Sequence, residues 1–229
     1  MTLSPAVAIV LAGGAGTRLR TALQNIPKVL APIRGRPFLH LLFDRIEAQG
    51  IESVVLATGF AAEAVETAAS EWRGKLHVAF SRETSPLGTG GAIAQAFEHV
   101  KEDRAWIFNG DSFCECDLAA ISSTASTAPH DAWLVATEVA DASRFGTIEI
   151  AGTRITRFTE KSGRAEPGWI NAGVYILPRE LLSPGAYSIE QQRFPIWSAE
   201  GRLRAVPVHG RFIDIGTPES LAAAETFFR

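Results

Sequence analysis

Asp111 and Asp214 lie far apart in the chain, yet each closes a short apolar run of the kind that forms a buried strand, Ile107-Phe108-Asn109-Gly110-Asp111 and Phe212-Ile213-Asp214-Ile215-Gly216-Thr217-Pro218. Mg²⁺ takes oxygen ligands, keeps several waters and often uses one or two carboxylates plus substrate phosphates, so a converging aspartate pair would suit it. A third element, Gly13-Gly14-Ala15-Gly16-Thr17-Arg18, follows the apolar run Val7-Ala8-Ile9-Val10-Leu11. Glycines tolerate positive φ, so such a loop can turn sharply and aim backbone N–H groups at phosphate oxygens, with Arg18 able to fork onto the same anion. It is not a Walker A loop, which needs Gly-Lys-Ser/Thr at its end, nor a dinucleotide fingerprint, which would need glycine or alanine where Leu19 stands. Two carboxylates and a phosphate loop point to metal-dependent phosphoryl or nucleotidyl transfer. A second glycine cluster, Leu87-Gly88-Thr89-Gly90-Gly91-Ala92, stands at a predicted helix start, where backbone can approach a flat ligand and amides add donors.

The elements that must position these groups alternate. The runs Val7–Leu11, Ser53–Thr58, His77–Ser81 and Ala105–Asn109 read as short parallel strands covered on both faces. Between them lie helical patterns at 37–46, ending before Gly50 as a C-cap, at 61–69 and at 91–100. This β-α-β order predicts an α/β fold with a Rossmann-like doubly wound sheet, ligands lying beyond the carboxyl ends of its strands. After Asp111 the pattern changes to strands at 132–139, 147–150, 155–160, 169–177, 203–208 and 212–215, with a hairpin turn at Ala151-Gly152-Thr153, a short helix from Arg179 and a closing helix at 218–228. The expectation is one mixed domain over 1–229, with residues 1–111 forming a nucleotide half and 112–229 a sugar-phosphate half.

A chain of 229 residues with 46% hydrophobic content can bury a full core. A net charge of −3 gives no reason to expect nucleic acid or a membrane surface as partner. Apolar runs are too short to span a bilayer, and the start Met1-Thr2-Leu3-Ser4-Pro5 lacks a basic leader, so a cytoplasmic location is expected. Cys114 and Cys116 are the only cysteines, without companion ligands for a metal, and read as reduced structural thiols. None of the five histidines falls in a motif.

The segment Leu11-Ala12-Gly13-Gly14-Ala15-Gly16-Thr17-Arg18-Leu19, followed by Pro27-Lys28-Val29-Leu30, resembles the signature of the sugar-1-phosphate nucleotidyltransferases. The resemblance runs from Ile9 to Pro218 and implies the mixed, GT-A-like sheet of that family, without an appended β-helix or acyltransferase domain. It further implies that Leu11, Ala12, Gly13, Gly14, Gly16, Thr17, Leu87, Gly88, Thr89, Asn109 and Gly110 bind nucleotide, and that Arg18 and Lys28 neutralise the phosphates. Asp111 and Asp214 would hold Mg²⁺. Phe145-Gly146-Thr147, Phe158-Thr159-Glu160-Lys161 and Asn171-Ala172-Gly173-Val174-Tyr175 resemble the sugar-phosphate subsite, which assigns Gly146, Glu160, Lys161, Asn171 and Gly173 to the sugar phosphate, with Lys161 orienting the nucleophile. Phe145 departs from the tyrosine often found there.

Within the family the segments are most similar to D-glycero-α-D-manno-heptose 1-phosphate guanylyltransferases, which implies GTP and a heptose 1-phosphate as substrates. Glu83, just before the second glycine cluster, could accept from guanine N1–H and N2–H₂. Mannose-1-phosphate guanylyltransferases and N-acetylmuramate-1-phosphate uridylyltransferases share most of these segments and remain alternatives. A non-catalytic nucleotide-sugar-binding subunit is a rival from another class, disfavoured because Arg18, Lys28, Asp111 and Asp214 are all present. Whether the chain forms a homodimer is left open.

Overall fold

The computed structural model describes residues 4–14, 26–159, 163 and 165–229. Its strands are β1 (Val7–Leu11), β2 (Pro32–Ile33), β3 (Arg36–Pro37), β4 (Ser53–Thr58), β5 (His77–Arg82), β6 (Arg104–Asn109), β7 (Ser112–Cys114), β8 (Ala132–Val139), β9 (Thr147–Ala151), β10 (Arg154–Thr159), β11 (Gly168–Pro178), β12 (Leu203–Val208) and β13 (Phe212–Asp214). The helices are α1 (Phe38–Ala48), α2 (Ala62–Glu71), α3 (Gly88–Ala96), α4 (Leu118–Ala125), α5 (Ile189–Gln192), α6 (Phe194–Ala199) and α7 (Pro218–Phe227). Nine strands form one mixed sheet in the order β5-β4-β1-β6-β11-β8-β12-β10-β9.

The first four positions are parallel and doubly wound. The chain steps outward from β1 through β4 to β5, then returns to the other side of β1 as β6. Ligands bind at such a reversal of strand order. Leu11 and Asn109 are register partners at the carboxyl ends of β1 and β6, so the glycine loop and the Gly110-Asp111 segment leave the sheet side by side. Gly110 N donates to Leu11 O at 2.9 Å and fixes that exit.

Alternation along the buried strands feeds two cores. Ala8, Val10, Trp106 and Phe108 face one layer with α1, α2, α4 and α7, while Val7, Ile9, Ala105 and Ile107 face the other with α3, α5 and α6. Cys114 and Cys116 are free and lie in the same core layer, as residues two apart on extended chain do.

Most elements fall where the periodicity puts them, and the differences have local causes. The third helix begins at Gly88 instead of Gly91. Glycine is a poor helix former, but Gly90 N donates to Tyr187 O at 2.9 Å, so a distant segment anchors the first turn. The helix α4, absent from the sequence reading, starts at Asp117, whose carboxylate accepts from Ala119 N and Ala120 N. Its Ala/Ser composition carries a weak apolar stripe. Helices α5 and α6 are each a turn or two long, too short for a periodic signal. The predicted turn after Ala151 holds, with Gly152 at φ 62°.

Strand β11 carries the fold's most consequential irregularity. Its pairing with β8 shifts register between Asn171 and Tyr175, and Gly173 sits there at φ 76°. A Cβ at Gly173 would lie 2.3 Å from Ser112 Oγ and 3.0 Å from Asn109 Cβ. Gly173→Ala therefore meets both a left-handed backbone and a collision, and should lose about 2 kcal/mol or more of unfolding free energy. Urea denaturation with an unchanged m-value would report it.

Candidate active site

The carboxylates of Asp111 and Asp214 converge. The small ribbon of β7 and β13 pairs Ser112 with Asp214, and Ile215 N donates to Asp111 O at 2.9 Å, so the two aspartates are cross-strand neighbours despite their separation in sequence. Between them stands Lys28, on the turn after Pro27. Its Nζ is 2.6 Å from Asp111 Oδ2 and 3.7 Å from Asp214 Oδ2. An ammonium thus sits where both carboxylates point.

Asp214 is held from its other side. Its Oδ1 accepts from Gly216 N at 2.9 Å and from Arg144 Nη2 at 3.0 Å, while Arg144 Nη1 donates to Thr217 Oγ1 at 3.1 Å. Burial and the charge of Asp111 raise the Asp214 pKa above the ordinary aspartate range, against the opposing pull of Lys28, the Gly216 N–H and Arg144.

Lys28 and Asp111 open onto a cleft of about 320 Å³ lined also by Leu11, Ala12, Gly14, Thr89, Asn109, Gly110 and Gly216, while Asp214 and Arg144 line a neighbouring pocket with Phe145 and Phe212. A second pocket of about 500 Å³ shares Leu11, Gly14 and Thr89 with the cleft and extends over Gly13, Gly59, Phe60, Glu83, Pro86 and Gly88. The first is charged and polar, the second largely walled by backbone and apolar side chains. That contrast suits a phosphate chain in one and a base in the other.

Glu83 occupies the second pocket as expected, but one carboxylate oxygen is partly engaged. Its Oε2 accepts from Leu87 N at 2.9 Å, closing its own loop. The glycines at 90 and 91 also differ from expectation. A Cβ at Gly90 would strike the Tyr187 ring at 2.0 Å, and one at Gly91 would strike Gly185 O at 2.2 Å, so these glycines admit a strap of the protein itself. Thr89 Oγ1 donates to Glu190 Oε2 at 2.5 Å and accepts from Ile189 N, so its one hydrogen is used within the fold and a single lone pair is left over.

On the other side of the aspartates, Gly146 O accepts from Asn171 N at 3.3 Å, which brings Gly146, Asn171 and Gly173 together. Ser112 Oγ reaches Ala172 O at 3.4 Å and joins this group to the β7/β13 ribbon. Asn171, expected to donate and accept toward a sugar, uses Oδ1 for Gly173 N and Nδ2 for Tyr175 Oη, keeping one hydrogen and one lone pair in reserve. Tyr175 is fully buried, and burial, with the Glu190 charge second, pushes its phenol well above the usual range. Asn109 Oδ1 is buried without a partner. Gly16, Thr17, Arg18, Glu160 and Lys161 lie outside the described residues.

Arg144, Ser112, Thr217 and Glu190 were missed by sequence reasoning. Arg144 directly precedes the Phe145-Gly146 motif and could have been flagged there. Ser112 and Thr217 flank the two aspartates and were passed over as spacers. Glu190 carries no local signal.

The donor set fits Mg²⁺. Two aspartates supply hard oxygens, neither soft sulfur nor imidazole stands beside them, and among the described residues no group of three or more His, Cys, Asp or Glu forms a closed cage. Such a pair leaves most positions around a cation for water and phosphate.

Residues 7–229 match the nucleotidyl transferase family. The chain belongs to it. It is 34% identical over 222 residues to the D-glycero-alpha-D-manno-heptose 1-phosphate guanylyltransferase of Aneurinibacillus thermoaerophilus, covering 95% of this chain and 96% of that protein. The protein of the same name from Campylobacter jejuni is 34% identical over 217 residues, with 93% and 95% covered. The crystal structure of HddC from Yersinia pseudotuberculosis complexed with GMP-PN superposes with a TM-score of 0.87 at 32% identity, covering 97% of this chain and 99% of that one. Mannose-1-phosphate guanylyltransferase of Mycobacterium tuberculosis is 34% identical over 220 residues, but the chain spans 61% of its length. Among the described residues no helix is long and apolar enough to cross a membrane.

Because the folded-state pKa of Asp214 lies above that of the unfolded chain, the folded protein binds the proton more tightly, and stability falls as pH rises through the window between the two values. Above that window the ionised carboxylate carries its full cost. Asp214→Asn should therefore melt higher than wild type at pH 8 in EDTA. The difference should vanish below about pH 3.9, where the unfolded carboxyl is protonated too. Calorimetric scans across pH give the answer, and a variant that melts lower at pH 8 contradicts the assignment.

Proposed function

We propose that the chain transfers GMP from GTP to D-glycero-α-D-manno-heptose 1-phosphate, releasing pyrophosphate and GDP-heptose, as one cytoplasmic domain with a nucleotide half at 1–111 and a sugar-phosphate half at 112–229. The observation that carries this reading is the meeting of Asp111, Asp214 and Lys28 at the carboxyl ends of β1 and β6, beside a pocket that holds Glu83. Near-complete coverage of relatives named for this activity supports the choice of substrates.

The phosphate of a sugar 1-phosphate has a second pKa near 6, so at neutral pH it is largely a dianion and needs no base to remove a proton. Its oxygen attacks the α-phosphorus as the bond to the bridging oxygen breaks, and the electron pair leaves with pyrophosphate. Catalysis is then alignment and charge opposition. Asp111 and Asp214 would hold Mg²⁺, which when bound neutralises phosphate oxygens.

Lys28 opposes charge on the triphosphate, and the family resemblance assigns Arg18 of the glycine loop to the same task. Leu11, Ala12, Gly13 and Gly14 border the phosphates and ribose, and the Glu83 oxygen not bonded to Leu87 accepts from the guanine edge. Lys161 orients the attacking phosphate, Glu160 accepts sugar hydroxyls, and Gly146, Asn171 and Gly173 shape that side. Asn109 Oδ1, buried without a partner at the cleft wall, is available to a ligand hydroxyl or an ordered water.

A mannose 1-phosphate substrate is the second reading, favoured by the Mycobacterium tuberculosis relative. Pyrophosphate release from GTP, UTP, CTP and dTTP against heptose, mannose and N-acetylmuramate 1-phosphates separates the readings. GTP with the heptose should give the highest kcat/KM, and no preference for GTP discards the base assignment. Lys28→Met should lose about 10²–10³-fold in kcat, as removal of a preorganised charge donor does. Asp111→Ala and Asp214→Ala should each lose at least as much, and normal turnover in either removes that residue from the site.

A further inference from the structure

Arg144 is the cation of this cluster to which neither the motifs nor the proposed chemistry gives a task. Its guanidinium spans two groups with two different nitrogens, Asp214 Oδ1 at 3.0 Å and Thr217 Oγ1 at 3.1 Å. Gly216 N fills the remaining side of that oxygen at 2.9 Å. Asp214 Oδ1 is consequently saturated, and Oδ2 is the oxygen left facing Lys28 and the cleft. Arg144 therefore sets the rotamer of the carboxylate from outside the cleft that Lys28 and Asp111 line.

The same residue belongs to the segment that carries Phe145 and Gly146. The Phe145 ring meets Phe212 edge-on, with centroids 5.6 Å apart, and Phe212 lies on the strand that ends at Asp214. The Arg144 guanidinium also lies 5.4 Å from the Phe145 ring centroid. Gly146 O in turn accepts from Asn171 N. One short segment thus grips the Asp214 strand by a salt bridge and an aromatic contact, and grips the bulge of β11 by a backbone hydrogen bond.

We propose that Arg144 is a positioning residue which fixes Asp214 Oδ2 toward the cation and ties that carboxylate to the sugar-phosphate segment at Gly146. This rests on the reading of Asp111 and Asp214 as the cation pair. An Arg fork holds Asp214 and Thr217 with two different nitrogens in one plane, a spread that the single nitrogen of a shorter lysine does not reproduce. Groups that orient a metal-binding side chain commonly account for 10–100-fold in metal affinity.

The test uses the full-length protein and Mn²⁺ as a paramagnetic probe, with binding followed by EPR in the presence of a non-hydrolysable GTP analogue. Wild type must first bind Mn²⁺ under these conditions, and Asp214→Ala must lose it. Failure of that control sinks the cation reading itself, independently of Arg144. Given the control, Arg144→Ala should raise the Mn²⁺ Kd by about 10–100-fold and raise the KM for the sugar 1-phosphate. Its Kd for the analogue in EDTA should stay at the wild-type value. Arg144→Lys should recover part of the Mn²⁺ affinity. The proposal is overturned if Arg144→Ala binds Mn²⁺ like wild type and only its melting temperature falls, which would make the residue a structural brace. It is equally overturned if the sugar 1-phosphate KM alone rises, because Arg144 would then be a direct phosphate contact.

Discussion

Backbone pairing of Ser112–Cys114 with Phe212–Asp214 is the constraint on which the site depends. Neither segment is long, and neither belongs to the nine-stranded sheet. Their hydrogen bonds, extended by Ile215 N to Asp111 O and Glu115 N to Arg211 O, make neighbours of two carboxylates that the sequence separates widely. The ribbon is anchored from both sides. Phe113 packs edge-on against Phe227 and Phe228 at the end of the closing helix, and Ser112 Oγ reaches the β11 bulge. The C-terminal helix thus helps to hold the aspartate pair in place through Phe113.

Bringing two carboxylates together has an electrostatic cost that the surrounding residues must offset. Like charges at close range raise at least one pKa, and partial burial adds to the effect, which is the direction found for Asp214. Lys28 and Arg144 supply two positive charges against the two negative ones, from opposite sides of Asp214. The roles differ with geometry. Lys28 lies between the carboxylates on the cleft side, where a divalent cation and a triphosphate could take over its contacts. Arg144 lies behind, engaged by a second partner at Thr217, and has no need to move. A site of this kind is less stable empty than filled, a common consequence of arranging charges for a ligand that is not yet there.

Much of this was legible in the chain. The apolar runs gave β1, β4 and β6 nearly to the residue, because fully covered parallel strands leave such runs continuous; β5 was found too, but as the sheet's edge strand it is half exposed instead of covered on both faces. That Asp111 and Asp214 meet was readable because each closes an apolar strand-like run, and the structure brings them together with Lys28 near Gly13 and Gly14 at the end of β1. What escaped reading was whatever depends on contacts between distant segments. The helix start at Gly88 needs Tyr187, and α4 depends on its Asp117 cap more than on an apolar stripe. Thr89 and Glu190 are joined across the fold by a hydrogen bond that no local pattern encodes. Arg144 escaped for the same reason, since its partners, Asp214 and Thr217, lie some seventy positions further on.

The glycines of the second cluster show how one sequence feature can serve a purpose other than the obvious one. Glycine there was expected to admit a ligand, yet Gly90 and Gly91 admit the strap at 185–187, whose backbone accepts from the first turn of α3. The strap continues into α5, where Glu190 takes the Thr89 hydroxyl, and the buried Tyr175 phenol, raised chiefly by desolvation, feels the charges of both Glu190 and Asp111. Tyr175 receives the Asn171 amide, and Asn171 holds the Gly173 bulge against Ser112. Hydrogen bonds therefore tie the rim of the larger pocket to α5 through Thr89 and Glu190, and a second set ties the buried phenol through Asn171 and Gly173 toward the ribbon that carries Asp214. Each side of the cleft is consequently braced by hydrogen-bonded polar groups, half-buried at Thr89, Glu190 and Asn171 and fully buried at Tyr175, which hold distances more strictly than apolar packing because each misplacement leaves a donor or acceptor unpaired. For in-line transfer between two bound anions, where the protein's task is spacing and charge, that rigidity is the property the fold most needs to supply.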